Sequence, residues 1–338
     1  MRKHFNKLYA YLKQNYKRFL WDIAIIVFLI ILCYYPFPFV IYRPGGLINL
    51  NERINVSDGT KISGSYNMSY VTVARGNLPN ILLSFIINDW DLKKEEETLV
   101  YDEDYETNLK ISQLDLQNSV DVAKLVAFQK AGYNVDISNL QIVVQSIDEN
   151  AQTDLKVLDK IEKINGIPCL EITDLRAYIN TFNIGDKIEL EVLTEEEQEI
   201  KYAHVYEYEN RKVIGITFFE KYTYDTPIDV DFKTKSSESG SSGGLMLTLT
   251  IYDQLINADL TKGKTVVGTG TIDKEGNVGA IGGVKYKMLG ARNNADVYFV
   301  PQDNCEEAKK IYQEYKLDFN LYCVKTIDDA IGYLNSQK

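Results

Sequence analysis

TVVGTGTIDKEGNVGAIGGVKYKMLGARNNADVYFVP, residues 265–301, reads as strand, hairpin, glycine turn, helix and strand. The order strand–helix–strand marks an α/β architecture. In the helix, Val284, Met288 and Ala291 recur at i, i+4 and i+7 and form one apolar stripe. Lys287 sits beside that stripe, whereas Lys285 falls on the opposite side with Arg292. A lysine on an inward face is unusual, because burying an ammonium costs several kcal/mol unless it neutralises. Desolvation lowers a lysine pKa, and a neutral amine can take a proton from a serine hydroxyl.

Upstream, strands are expected around residues 213–218 and 228–232, followed by the small-residue run Ser236-Ser237-Glu238-Ser239-Gly240-Ser241-Ser242-Gly243-Gly244. A nearly all-apolar helix over 245–255 comes next. Such a loop feeding a buried helix leaves backbone N–H groups at the positive end of a dipole, suited to a phosphate or to the oxyanion of acyl transfer. A phosphate loop needs Lys and then Ser or Thr after its last glycine. Leu245 and Met246 stand there, and no G-x-x-x-x-G-K-[ST] occurs elsewhere. A flexible Gly-Ser linker is the plain alternative for this run taken alone.

Composition narrows the chemistry further. The 338 residues carry a net charge of −11, which argues against a nucleic-acid partner. There are two histidines, His4 in a basic N-terminal arm and His204 in a strand, so a zinc site of several histidines is excluded and a Ser-His-Asp triad would have to pass through His204. The cysteines Cys33, Cys169, Cys305 and Cys323 show no C-x-x-C spacing and read as structural thiols. Whether Cys305 and Cys323 pair is a matter of distance, which the sequence leaves open.

The serine loop and the lysine helix together resemble the proteolytic domain of Lon-type proteases, a Ser-Lys family with a ribosomal-protein-like α/β fold. The family's Gly-Pro-Ser-Ala-Gly loop falls on Gly240-Ser241-Ser242-Gly243-Gly244, which implies Ser242 as nucleophile. Its Gly-Gly-x-Lys-x-Lys helix start falls on Gly282-Gly283-Val284-Lys285-Tyr286-Lys287, which implies Lys287 as general base. A Thr-Gly-x-Ile stretch falls on Thr269-Gly270-Thr271-Ile272, so that Thr269 is expected to hold the lysine amine. Gly240, Ser241 and Gly243 are the expected oxyanion loop, with no metal and no cofactor. Ser241 replaces the usual proline and Gly243 the usual alanine. The resemblance spans about residues 207–338.

Nearer the N-terminus, residues 23–42 are twenty consecutive uncharged positions, long enough for a bilayer core of about 30 Å. Arg2, Lys3, Lys7, Lys13, Lys17 and Arg18 precede them, and the positive-inside bias puts the N-terminus in the cytoplasm and the rest outside. The bulky Tyr34-Tyr35-Pro36-Phe37-Pro38-Phe39 offers no small-x-small cleavage site, so a retained anchor is expected over 21–42 behind a basic arm, 1–20. Residues 43–111 read as β-rich runs, 67–74 and 81–87, with an acidic linker over 89–106. Helical spacing marks 112–131.

LDKIEKING, residues 158–166, ends in an Asn-Gly hairpin turn; a helix from Thr173 and the strand-forming GDKIELEVL, 185–193, follow. This region, about 112–206, resembles a PDZ domain of the kind attached to bacterial proteases, which implies an extended peptide added beside an exposed edge. Its Gly-rich carboxylate loop is not evident, and a plain β spacer is the alternative.

The whole chain is therefore expected to be a membrane-anchored serine endopeptidase without an ATPase module: a Lon-type domain preceded by a mainly-β PDZ-like domain and one transmembrane helix. Protein or peptide substrates and the membrane are the expected partners, with homo-oligomerisation open. One rival is a non-catalytic anchored binding module with a degenerate protease-like domain. A signal-peptidase-like enzyme is the other, but it wants a serine close to the anchor, and none occurs between Pro44 and Val56.

Overall fold

The computed structural model describes residues 13–57, 59–98, 105–169, 171–194 and 197–337. The basic arm up to residue 12, with Arg2, Lys3, His4 and Lys7, and residues 99–104 of the acidic linker lie outside the described residues. The chain divides into two compact units, Met1–Pro44 with Val71–Thr98, and Gly45–Tyr70 with Leu99–Lys338.

The first unit contains helices α1 (Tyr16–Tyr34) and α2 (Leu78–Ser84), which pack on each other. Residues 39–42 pair antiparallel with the strand Asp91–Lys94. The expected helix over 21–42 is not continuous. Tyr35 is already extended, Pro36 follows it, and residues from Phe37 onward enter a strand. A proline disfavours helical geometry in the residue before it and cannot donate to the helix ladder. The uncharged part of α1, 23–34, therefore reaches only about 18 Å at 1.5 Å per residue. Among the described residues no helix is long and apolar enough to cross a membrane. Residues 81–87, expected as β, fall largely within α2, because Asn77 caps that helix by accepting from the Asn80 N–H and Pro79 occupies its first turn.

The second unit holds α3 (Tyr105–Lys130), α4 (Ile172–Ile179), α5 (Gly244–Ile256), α6 (Val284–Ala291), α7 (Cys305–Glu314) and α8 (Ile327–Ser336). Parallel strands run in the order Asn320–Val324, Val297–Pro301, Thr265–Gly268 and Ser65–Met68. Their side chains alternate between two apolar cores, as strand geometry requires. Val266, Val297 and Phe299 face α3, α5 and α8, while Val267, Tyr298 and Val300 face α6 and α7. A parallel sheet covered on both faces explains why these strands read as continuous apolar runs.

α5 is buried along nearly its whole length, with Leu245, Met246, Leu247 and Leu249 fully enclosed. Burying each such side chain is worth about 1.5–3 kcal/mol. Its two buried threonines are satisfied within the helix, Thr248 donating to the Gly244 carbonyl and Thr250 to that of Met246.

A separate antiparallel sheet has the order Ile216–Tyr224, Ile137–Ile147, Lys160–Ile164, Lys187–Leu193 and Gln198–His204. Leu175 and Ile179 of α4 pack into its core. The Asn-Gly hairpin forms as expected, with Asn165 and Gly166 at φ 45° and 76°. Packing groups the residues differently from the expected 112–206 and 207–338. α3 packs chiefly against α5, with a smaller contact to the antiparallel sheet, because Leu116, Val120, Ala123 and Ala127 share one face. Residues 216–224, expected in the α/β region, form that sheet's edge strand. Leu50, Ile54, Val56 and Tyr66 also join the α/β core. Cys305 and Cys323 form a disulfide with Cα atoms 5.7 Å apart, a pairing the sequence left open, whereas Cys33 and Cys169 are free thiols.

Candidate active site

The residues singled out on the serine loop and the lysine helix converge at the start of α5. Strand Thr265–Gly268 runs out beneath it, and the loop is sewn to the residues that follow. The Gly270 N–H donates to the Ser242 carbonyl at 2.8 Å, and the Leu245 N–H donates to the Gly270 carbonyl at 3.1 Å. The Thr269 hydroxyl donates to the same Ser242 carbonyl at 3.1 Å. Thr269 is itself fully buried, and the Lys287 ammonium donates to its Oγ1 at 3.2 Å. A short polar chain thus links Lys287, Thr269 and the backbone of Ser242.

Lys287 is only 5% exposed, and its neighbours on α6, Val284, Met288 and Ala291, are fully buried. The helix begins at Gly283, whose φ of 72° lies in the left-handed region that glycine adopts without strain. No carboxylate pairs with the Lys287 amine among the described residues, and burial alone brings its pKa down to about 8. Lys285 lies instead with its ammonium 5.5 Å from the centre of the Tyr286 ring.

The start of α5 supplies donors. The Gly244 N–H goes back to the Ser241 carbonyl, and the N–H groups of Ser242 and Gly243 have no backbone partner among the described residues. Glycine at 244 is a steric requirement: a Cβ there would stand 2.9 Å from the Ile272 nitrogen and 3.0 Å from Ser119 Oγ. At 243 a Cβ would meet Met68 Sδ at 2.8 Å, in the outer part of a flexible side chain rather than backbone. Gly240 turns the loop at φ 90°.

Two loop partners were missed from the sequence. The Ser119 hydroxyl on α3 donates to the Ser241 carbonyl at 3.0 Å, and the Ser112 carbonyl accepts the Gly240 N–H at 2.6 Å. A signal for Ser119 existed, since it stands on the apolar face of α3 with Leu116 and Ala123. His204 ends an antiparallel strand, opposite Lys187. Among the described residues no cluster of three or more His, Cys, Asp or Glu could hold a metal ion.

A second concavity, about 860 Å³, lies between the start of the edge strand Ile216–Tyr224 and α4, with Ile147, Ile179, Ile214 and Phe218 in its wall and Arg176 and Arg211 at its rim. That strand is the last of its sheet.

Residues 189–335 match the Lon protease (S16) C-terminal proteolytic domain. Over this region the chain is similar to that domain. The chain is 31% identical over 96 residues to the Lon protease of Aster yellows witches'-broom phytoplasma, covering 28% of this chain and 12% of that protein. It is 33% identical over 94 residues to the Lon protease of Fusobacterium nucleatum, with the same two coverages. Over 97 residues it is 33% identical to the peroxisomal Lon protease homolog 2 of Caenorhabditis elegans, again 28% of this chain and 12% of the relative. The chain thus spans about 12% of the length of these relatives. Among solved structures, the PDZ domain of an SdrC-like protein from Listeria monocytogenes aligns at 19% identity and a TM-score of 0.21, covering 23% of this chain and 85% of that one.

Proposed function

We propose that this chain is a serine endopeptidase that cleaves protein substrates without ATP, with Ser242 as nucleophile and Lys287 as general base. The carrying observation is the amine of Lys287: buried, without a carboxylate, lowered to about 8 and tied through Thr269 to the backbone of Ser242. In the neutral form it takes the Ser242 hydroxyl proton as Oγ attacks the substrate carbonyl. The charge that develops on the carbonyl oxygen meets the N–H groups of Ser242 and Gly243 at the positive end of α5. The protonated amine then gives its proton to the leaving nitrogen, and the C–N bond breaks. A water, deprotonated by the same amine, hydrolyses the acyl-enzyme.

The groove beside the unpaired edge strand supports a PDZ-like role, in which an extended peptide adds to residues 216–218. We further propose attachment to a membrane, with the catalytic region outside the cytoplasm. α1 has no buried residue although it is rich in Ile, Leu, Val and Phe. Leu82, Leu83, Phe85 and Ile86, in α2 and the turn after it, are exposed as well. An apolar helix packed by little protein is suited to lipid. The Cys305–Cys323 disulfide agrees with an oxidising compartment.

Purified full-length protein is expected to cleave casein, at a rate that added ATP leaves unchanged. Both Ser242→Ala and Lys287→Ala are expected to stop cleavage. Full cleavage by Lys287→Ala, with loss in Lys285→Ala, would overturn the assignment of the base. The reading as a non-catalytic binding module draws on Ser241 and Gly243 standing where the resembled loop has proline and alanine; absence of cleavage by the wild type would favour it.

A further inference from the structure

A proline before the nucleophile would hold that backbone near φ −65° without outside help. Ser241 has no such restraint, and glycines flank the pair at 240 and 243. Ordering such a loop costs backbone entropy. On one side the loop is tied to Gly270 and Thr269, as described above. On the other it is tied to α3, a helix that lies outside the Lon-like match at 189–335. Gly240 and Ser241 each have one bond to that helix, at Ser112 and Ser119. Ser119 is only 5% exposed, and its Oγ abuts the space that any Cβ at Gly244 would need. The carbonyl that Ser119 holds also receives the Gly244 N–H, the first amide of α5. One hydroxyl therefore bears on both the backbone before Ser242 and the helix start after it.

We propose that Ser119 is a positioning residue for the nucleophile: its hydrogen bond to the Ser241 carbonyl replaces the stiffness a proline would supply, and keeps Ser242 and the Gly243 N–H aimed at one substrate carbonyl. The proposal rests on the Ser242–Lys287 reading. Ser119 makes no bond to Lys287 and leaves the base untouched. Its removal should slow the chemical step without changing substrate binding or the pH at which the lysine titrates.

The test uses the full chain in detergent with fluorescein-labelled casein. Ser119→Ala is expected to lower kcat about tenfold, with KM within about twofold of wild type. The midpoint of the acid limb of the pH–rate profile is expected to match that of wild type. Amide hydrogen exchange in residues 239–243 quickens. Adding Ser241→Pro to Ser119→Ala restores most of the lost kcat and slows that exchange again. Wild-type kcat in Ser119→Ala overturns the proposal. So does a loss that Ser241→Pro leaves unrepaired, or a matching rise in KM, or a displaced midpoint. Lys287→Ala is assayed in parallel. If it cleaves casein at the wild-type rate, the dyad reading falls by itself. Exchange in the loop then judges the clamp alone, and unchanged exchange in Ser119→Ala sinks it.

Discussion

In the proposed dyad Lys287 is the base, and on that reading its protonation couples activity to stability. A base must be neutral to act, so kcat should rise through about pH 8 and level above it. A pH–rate profile with no limb near that value would remove Lys287 from the role. The stability effect has a definite sign. The folded-state pKa lies below the ordinary lysine value of 10.5, so between about 8 and 10.5 the unfolded chain binds the extra proton. Stability from this group therefore rises with pH across that window, and below it the buried ammonium costs up to about 3 kcal/mol at 1.36 kcal/mol per unit. Lys287→Met should be inactive yet more stable at pH 7, the gain shrinking toward pH 10.5. Denaturant midpoints at the two pH values check it; a destabilised variant at pH 7 would count against buried charge as a cost. Much of this was legible in the sequence, because a helix repeats every 3.6 residues and a lysine beside an apolar stripe shows itself. The bond to Thr269 was expected only through resemblance, since eighteen residues and a hairpin separate the pair.

At the scale of elements, the start of α5 depends on the absence of a side chain. In Gly244→Ala the new Cβ would crowd Ile272, both backbone and side chain, and Ser119. The expected outcome is a loss of about 1–3 kcal/mol in thermal or urea unfolding, together with loss of cleavage. Near-wild-type stability would mean the strand after Thr269 can shift. The disulfide ties the start of α7 to the strand Asn320–Val324 across 18 residues. Closing such a loop constrains the unfolded chain by about 3 kcal/mol. Cys305→Ser/Cys323→Ser should lower the unfolding midpoint, read by circular dichroism with and without reductant. An identical midpoint would mean the bridge does not form in solution. The sequence showed two cysteines but not their neighbourhood, which depends on two parallel strands meeting in register.

At the scale of the whole molecule, the exposed apolar helix α1 gives the attachment reading its test. Full-length protein should stay with membranes through carbonate extraction, and a chain lacking residues 1–35 should leave them. Release of the full-length protein would discard the attachment. The antiparallel sheet and the Lon-like region share one compact unit, and the strand Ile216–Tyr224 passes between their cores: Phe218 packs against one, while Tyr222 is buried in the other. Linear domain boundaries missed this, because strand alternation in sequence says which face is buried but not which sheet a strand will join.

By itself the sequence determined what depends on short-range periodicity and on residue chemistry. It marked the α/β order of 265–301, the Asn165-Gly166 turn, the glycine-rich start of α5 and the inward lysine. It also marked a run without charge, though not how far the helix within it would extend before Pro36. Only the tertiary structure brought α3 onto the serine loop and Thr269 beneath the amine. It alone paired Cys305 with Cys323 and gave residues 216–224 to the antiparallel sheet. These depend on contacts between segments far apart in the chain, fixed when apolar faces are buried together, and no local pattern encodes the partner a face will meet.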